Sequence, residues 1–111
     1  MQFGLPDDVL PRVIAVLSGN RKIKRITLYG SRVMGKLRDG SDIDLCLDGD
    51  SLSLNDLAEL EAGIDDLLLP WKVDLTVRQQ IDNPDLIAHI ERVGVILFGY
   101  SIYGVALAGE G

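Results

Sequence analysis

Two acids spaced by one residue, Asp42 and Asp44, follow the dipeptide Gly30-Ser31 after ten intervening residues, and a third acid, Asp74, interrupts the apolar run Trp71 to Val77. Residues two apart on a strand point to one face, so Asp42 and Asp44 can share a ligand there. Carboxylate oxygens are the donors magnesium prefers. Phosphoryl-type transfer asks for a metal clamp on the attacking and leaving oxygens, with metals ~4 Å apart in two-metal sites. Three crowded carboxylates repel one another unless cations are bound, which argues for a metal site at Asp42, Asp44 and Asp74. Gly30 and Ser31 would let backbone amides approach a triphosphate closely, assisted by the Ser31 hydroxyl. Arg32 and Lys36 are expected to neutralise its phosphates, while Gly35 and Gly40 serve the backbone geometry of the loop.

A competing motif covers the same glycines. Gly30 to Lys36 reads G-x-x-x-x-G-K, the phosphate loop, and follows a predicted strand. Leu37 stands where that motif needs Ser or Thr to hold magnesium, and Asp39-Gly40-Ser41 breaks the long helix that should follow. The chain is also too short for such a domain. The phosphate-loop reading is rejected.

The elements that must position these residues are legible from periodicity. Leu10, Val13, Ile14 and Leu17 recur at helical spacing up to Ser18, with Gly19 as a stop and Pro11 tolerable only in the first turn. Ile23 to Tyr29 is rich in β-branched and aromatic residues and predicts a strand. Gly30 to Gly40 predicts a loop with at most one helical turn. Asp42 to Leu47 alternates strictly, with Asp42, Asp44 and Cys46 on one face and Ile43, Leu45 and Leu47 on the other. Ser53 caps a second long helix with a stripe of Leu54, Leu57, Leu60, Ile64, Leu67 and Leu68, ended by Pro70. Trp71 to Val77 alternates as a third strand. Asn83-Pro84 opens a helix with Leu86, Ile87, Ile90 and Val93 inside, and Val95 to Phe98 suits a last strand.

Taken together, these residues resemble the signature of the nucleotidyltransferase superfamily related to DNA polymerase β. More narrowly, they are similar to the minimal nucleotidyltransferase (MNT) family, the antitoxins found beside HEPN-domain toxins. The resemblance rests on Gly30-Ser31-Arg32 with Gly35, on Gly40 to Leu45, on Trp71 to Leu75, and on His89 to Gly94 running into an apolar strand; it covers about residues 10–98. It implies an α+β fold, a short mixed β-sheet with the acids on one face and helices packed on the other, the polymerase β-like palm. It also implies that Ser31 contacts the outer phosphates, that Asp42 and Asp44 hold two magnesium ions, and that Asp74 completes one of them and helps deprotonate the acceptor hydroxyl. The implied reaction is transfer of AMP from ATP to a tyrosine of a HEPN-domain toxin, with which the chain would form a hetero-oligomer. Two alternatives stay open: a non-catalytic antitoxin that masks its toxin by binding, and nucleotidyl transfer to a small molecule.

Composition limits the other possibilities. With 47% apolar and 25% charged residues, the chain reads as one ordinary globular domain over residues 1–111. Cys46 is the single cysteine and His89 the single histidine, which excludes an internal disulfide and a Cys/His zinc site. Cys46 and Trp71 are expected to pack, and His89 to lie exposed on its helix. No signal peptide is visible, so a cytoplasmic address is expected. The net charge of −6 makes the chain a poor binder of DNA. Seven of the eleven bases fall within residues 21–38 and ten of the seventeen acids within 39–66, a pairing of blocks that would suit a polyphosphate held with metal ions. Arg21, Lys22, Lys24 and Arg25 are expected to stay solvated. Val93 to Gly109 carries no charge over seventeen positions, just under the ~18–20 that span a bilayer, and its glycines argue against a membrane anchor. Residues 99–111 form an apolar, glycine-containing tail, better suited to a partner contact.

Overall fold

Alternation along one strand sorts the molecule into two faces. That strand, β2 (Ile43–Gly49), turns Ile43, Leu45 and Leu47 into the core at 0% exposure and sends Asp44, Cys46 and Asp48 to the opposite side. The structure is a computed structural model describing residues 3–36 and 40–99, so most of the apolar tail lies outside the described residues. β1 (Ile23–Tyr29) pairs antiparallel with β2, setting Ile26 beside Leu47 and Leu28 beside Leu45. β3 (Val73–Val77) runs parallel to β2, and β4 (Val95–Phe98) antiparallel to β1, giving the order β3-β2-β1-β4. The α+β fold with a short mixed sheet is therefore as expected.

A parallel pair needs a crossover, and α3 (Leu54–Asp65) supplies it between β2 and β3. Its start is secured by a reciprocal capping box: Ser53 Oγ accepts from the Asp56 amide, and the Asp56 carboxylate accepts from the Ser53 amide. Lys22 bonds the same carboxylate at 2.7 Å, and these contacts hold Asp56 well below the usual carboxylate range. The apolar stripe expected to continue to Pro70 stops at Asp65. Asp65 and Asp66 meet the negative end of the helix dipole, and no base stands in the last turn to offset them. Leu68 then takes a left-handed φ of 55° and is 87% exposed. Leu54, at the first helical position, is also outside the core at 81%. α3 and α1 (Val9–Ser18) cover the apolar face, where Val13, Leu17, Leu60 and Ile64 join the sheet residues in one cluster.

The fourth helix departs from the expectation that helices lie on one face alone. α4 (Pro84–Val93), capped by Asn83, packs Ile90 and Leu86 against Tyr29 and Cys46 on the acid-bearing side, in a second, smaller cluster. Gly94 follows the helix so closely that a Cβ there would strike the Ile90 carbonyl and the Thr27 methyl, so glycine lets the chain pass directly from α4 into β4 against β1. None of the helices among the described residues is long and apolar enough to cross a membrane.

Gly94→Ala is expected to destabilise the protein by about 1–3 kcal/mol, the cost of overpacking at a contact where both neighbours are held. Urea denaturation checks this, and an unchanged midpoint would show that α4 is free to shift.

Candidate active site

The site begins where β1 ends. Gly30 adopts φ 84° and ψ −153°, a conformation open to glycine, and a Cβ on it would run into the Asp44 carboxylate. The glycine thus has a second reason to be there: its bare Cα lets the strand-to-loop turn lie directly on the acid of the neighbouring strand. A single helical turn follows, α2 (Ser31–Met34), closed by Gly35 at a left-handed φ of 72°. The Lys36 amide bonds back to the Ser31 carbonyl at 3.0 Å, so the whole loop from Gly30 is wound tightly. The Lys36 side chain is exposed.

The three acids occupy neighbouring strand ends. Asp44 lies directly across from Asp74 in the parallel ladder and across from Tyr29 in the antiparallel one. Adjacent strands run ~4.8 Å apart, so the two side chains leave the sheet as neighbours. Asp42 stands one residue before β2, outside the ladder that begins with Ile43 opposite Val73. Burial raises the Asp44 pKa above the ordinary carboxylate value; the charges of Asp74 and Asp42 add to the rise, and those of Arg32 and Lys72 oppose it. Asp74 has a loose, exposed partner in Lys72 at 3.6 Å.

These oxygens are a hard donor set suited to magnesium. The repulsion felt by Asp44 is of the kind a bound cation relieves. Among the described residues no three acids, thiols or imidazoles already close around one point, so the carboxylates are apposed rather than caged. In donor chemistry they suit a divalent cation.

The surroundings of the acids include residues that the sequence reading passed over. The Tyr29 hydroxyl and Thr76 Oγ1 are 3.1 Å apart, a hydrogen bond between β1 and β3 that crosses β2 above Cys46. Burial, the first cause, raises the Tyr29 pKa, so this phenol stays neutral. His89 is half-buried rather than exposed, its ring edge-on to Tyr29 at 6.3 Å. Cys46 packs as expected; burial pushes its thiol up to about 11, which leaves it protonated and inert.

Two expectations about the bases change. Arg32 is only 5% exposed, and its guanidinium donates to the carbonyls of Phe3 (2.8 Å), Ser41 (2.6 Å) and Asp42 (3.3 Å), beneath the loop. Three of its five N–H donors are thus taken by backbone carbonyls, where the sequence expectation had the side chain facing phosphate. A position among loop residues gave no sign of this burial. In the block at 21–25, Arg21, Lys22 and Lys24 stay exposed as expected, Lys22 and Lys24 in surface pairs with Asp56 and Asp50, while Arg25 is half-buried on Asp48 at 3.1 Å. Asp48 also meets Arg78 at 4.0 Å, and Arg78 bonds Glu91 of α4.

Comparison with known proteins places this arrangement. Residues 12–102 match the family described as Polymerase beta, Nucleotidyltransferase. A Methanocaldococcus jannaschii protein named "Putative protein adenylyltransferase" is 35% identical over 85 residues, covering 76% of this chain and 86% of that protein. A toxin–antitoxin structure with AMP-PNP shares the fold at a TM-score of 0.68 with 23% identity, over 87% of this chain and 76% of that one. A complex of a tri-AMPylated Shewanella oneidensis HEPN toxin with its MNT antitoxin gives a TM-score of 0.63 at 25% identity, over 82% of this chain and 70% of that one. The chain belongs to the polymerase β nucleotidyltransferase family.

Because its folded-state pKa is raised, Asp44 is a burden on the metal-free fold wherever it is ionised and the unfolded chain is too. Asp44→Asn is therefore expected to raise the denaturation midpoint at pH 7. The gain should shrink as pH falls through the folded-state pKa towards the ordinary carboxylate value of ~3.9. Melting curves from pH 4 to 8 test it, and a gain that does not depend on pH contradicts it.

Proposed function

We propose that this chain is a magnesium-dependent protein adenylyltransferase that transfers AMP from ATP to a tyrosine hydroxyl of a HEPN-domain toxin and so acts as its antitoxin. The observation that carries the reading is the lateral pairing of Asp44 with Asp74, with Asp42 beside them and the Gly30 backbone resting on Asp44. Family membership, the name of the jannaschii relative and the AMPylated toxin of the Shewanella complex support it. The single domain of residues 1–111, with its core at about 10–98, carries the transfer, and the acceptor arrives on the partner chain. The reaction belongs in the cytoplasm, where ATP and the partner are available.

In this mechanism Asp42 and Asp44 would hold two magnesium ions, with Asp74 completing one of them. When bound, the metal would supply charge neutralisation at the phosphates. Ser31, on the tight turn after Gly30, contacts the outer phosphates and fixes the triphosphate against the acids. Lys36, exposed at the end of that turn, adds a positive charge from solvent. The acceptor oxygen forms a bond to the α-phosphorus as the bond to the β-phosphate bridging oxygen breaks. Pyrophosphate leaves, and the acceptor proton passes to the Asp74 carboxylate.

Incubation of the protein with ATP, magnesium and the HEPN-domain partner, followed by intact-mass measurement, is expected to show AMP-sized gains on the partner. The double variant Asp42→Ala/Asp44→Ala should fall below one-hundredth of that rate, more than the ~10–100-fold typical of losing a partner behind a metal ligand. Modification that survives the double variant sinks the catalytic reading. Neutralisation without any mass gain favours masking by binding, and transfer to a small molecule in the absence of partner favours that acceptor class.

A further inference from the structure

The buried guanidinium beneath the loop is the least expected feature of the site. Arg32 follows Ser31 directly, so its backbone belongs to the turn that would carry phosphate. Its side chain leaves that turn and reaches three other segments. Nη1 donates to Phe3 in the N-terminal turn, Nη2 to Ser41, and Nε to Asp42. The guanidinium carbon also lies 5.8 Å from the centre of the Trp71 ring, two residues before β3 begins. One side chain therefore touches the approach to both acid-bearing strands.

Asp42 needs such a tether. The ladder with β3 starts one residue later, at Ile43, whose amide bonds the Lys72 carbonyl at 2.8 Å. The chain arrives from Gly40, with its left-handed φ of 80°, and the β2–β3 ladder begins only after Ser41 and Asp42. Arg32 holds both. Lysine could not do the same: a planar fork with five donors meets several acceptors in fixed directions, whereas an ammonium is a point charge. Burial depresses the Arg32 pKa, and the charges of Asp42 and Asp44 work against that shift, so the cation is tolerated because the acids are near.

We propose that Arg32 is a positioning residue that sets the distance between the phosphate-bearing turn and the acids of β2 and β3, and that it makes no contact with substrate. This rests on the adenylyltransferase reading, since the spacing it fixes is the one that reaction uses.

The test uses Arg32→Lys and Arg32→Met in the full chain, with circular dichroism to verify folding. Two quantities are read: Mn2+ affinity without nucleotide, by electron paramagnetic resonance, and kcat and KM for ATP in transfer to the partner. Both variants are expected to lose roughly tenfold or more in Mn2+ affinity and in kcat, the scale on which outer partners of metal ligands act, with KM for ATP nearly unchanged. Retention of wild-type Mn2+ affinity and kcat by the lysine variant, with a raised KM in the methionine variant alone, would mean that Arg32 acts as a charge on phosphate and would overturn the proposal. Trp71→Leu and Trp71→Phe give a second reading should the Arg32 variants not fold. Leucine is expected to weaken Mn2+ binding several-fold more than phenylalanine, and equal affinities count against the tether. A wild-type chain that binds no Mn2+ sinks the adenylyltransferase reading and this inference with it, whereas equal binding by wild type and variants sinks only the inference.

Discussion

Asp44 and Asp74 leave adjacent parallel strands side by side, and burial together with their mutual repulsion makes that proximity unfavourable in the bare protein. Such an arrangement persists only if the backbone beneath it cannot relax. Ile43, Leu45 and Leu47, buried without residual exposure, lock the far side of β2, and fully burying each such side chain is worth roughly 1.5–3 kcal/mol. Parallel pairing of β2 with β3 comes from the α3 crossover, whose capping box and Lys22 contact fix its first turn. The register that aligns Asp44 with Asp74 is then a property of the whole α3 connection rather than of either acid.

The same constraint explains where glycine is required. A strand-to-loop turn over a carboxylate has no room for a side chain, and Gly30 satisfies both the close approach and the positive φ. Gly30 and Asp44, fourteen positions apart across a loop, belong to one motif because they touch. Arg32 addresses the other side of that loop, holding the segment that leads into Asp42, so the glycine contact and the buried fork grip the turn from two directions.

What could be read in advance follows the range of the forces involved. Alternation in β2 and β3, the Ser53 and Asn83 caps, and the order of elements are local signals, and the structure has them where periodicity put them. The end of α3 was misplaced because leucine spacing ran on past Asp65, while the unfavourable dipole end that stops the helix is a charge effect outside that pattern. α4 lies on the acid face through packing of Ile90 and Leu86 against Tyr29 and Cys46, residues far apart in sequence. Arg32 was misjudged for a related reason: its carbonyl partners are backbone atoms of Phe3, Ser41 and Asp42, and backbone acceptors leave no trace in residue types. Within the basic block the sequence shows Arg21, Lys22 and Lys24 as the exposed bases they are, but not that Arg25 is half-buried on Asp48 across the sheet.

A comparison within β2 separates an acid paired with the chain's own cations from one that faces other acids. Asp48 and Asp44 lie four residues apart on the same face of the same strand. Asp48 is met by Arg25 and Arg78, and Arg78 extends the link to Glu91, so the chain's own cations neutralise it and fasten α4 at that end. Asp44 has, among the described residues, two acids for neighbours and only charge at a distance from Arg32, three of whose five donors lie on carbonyls, and from Lys72, paired loosely with Asp74. One end of the face is closed by internal ion pairs and a helix. At the other end the acids face one another without such pairs, which is the charge imbalance the proposed magnesium would relieve.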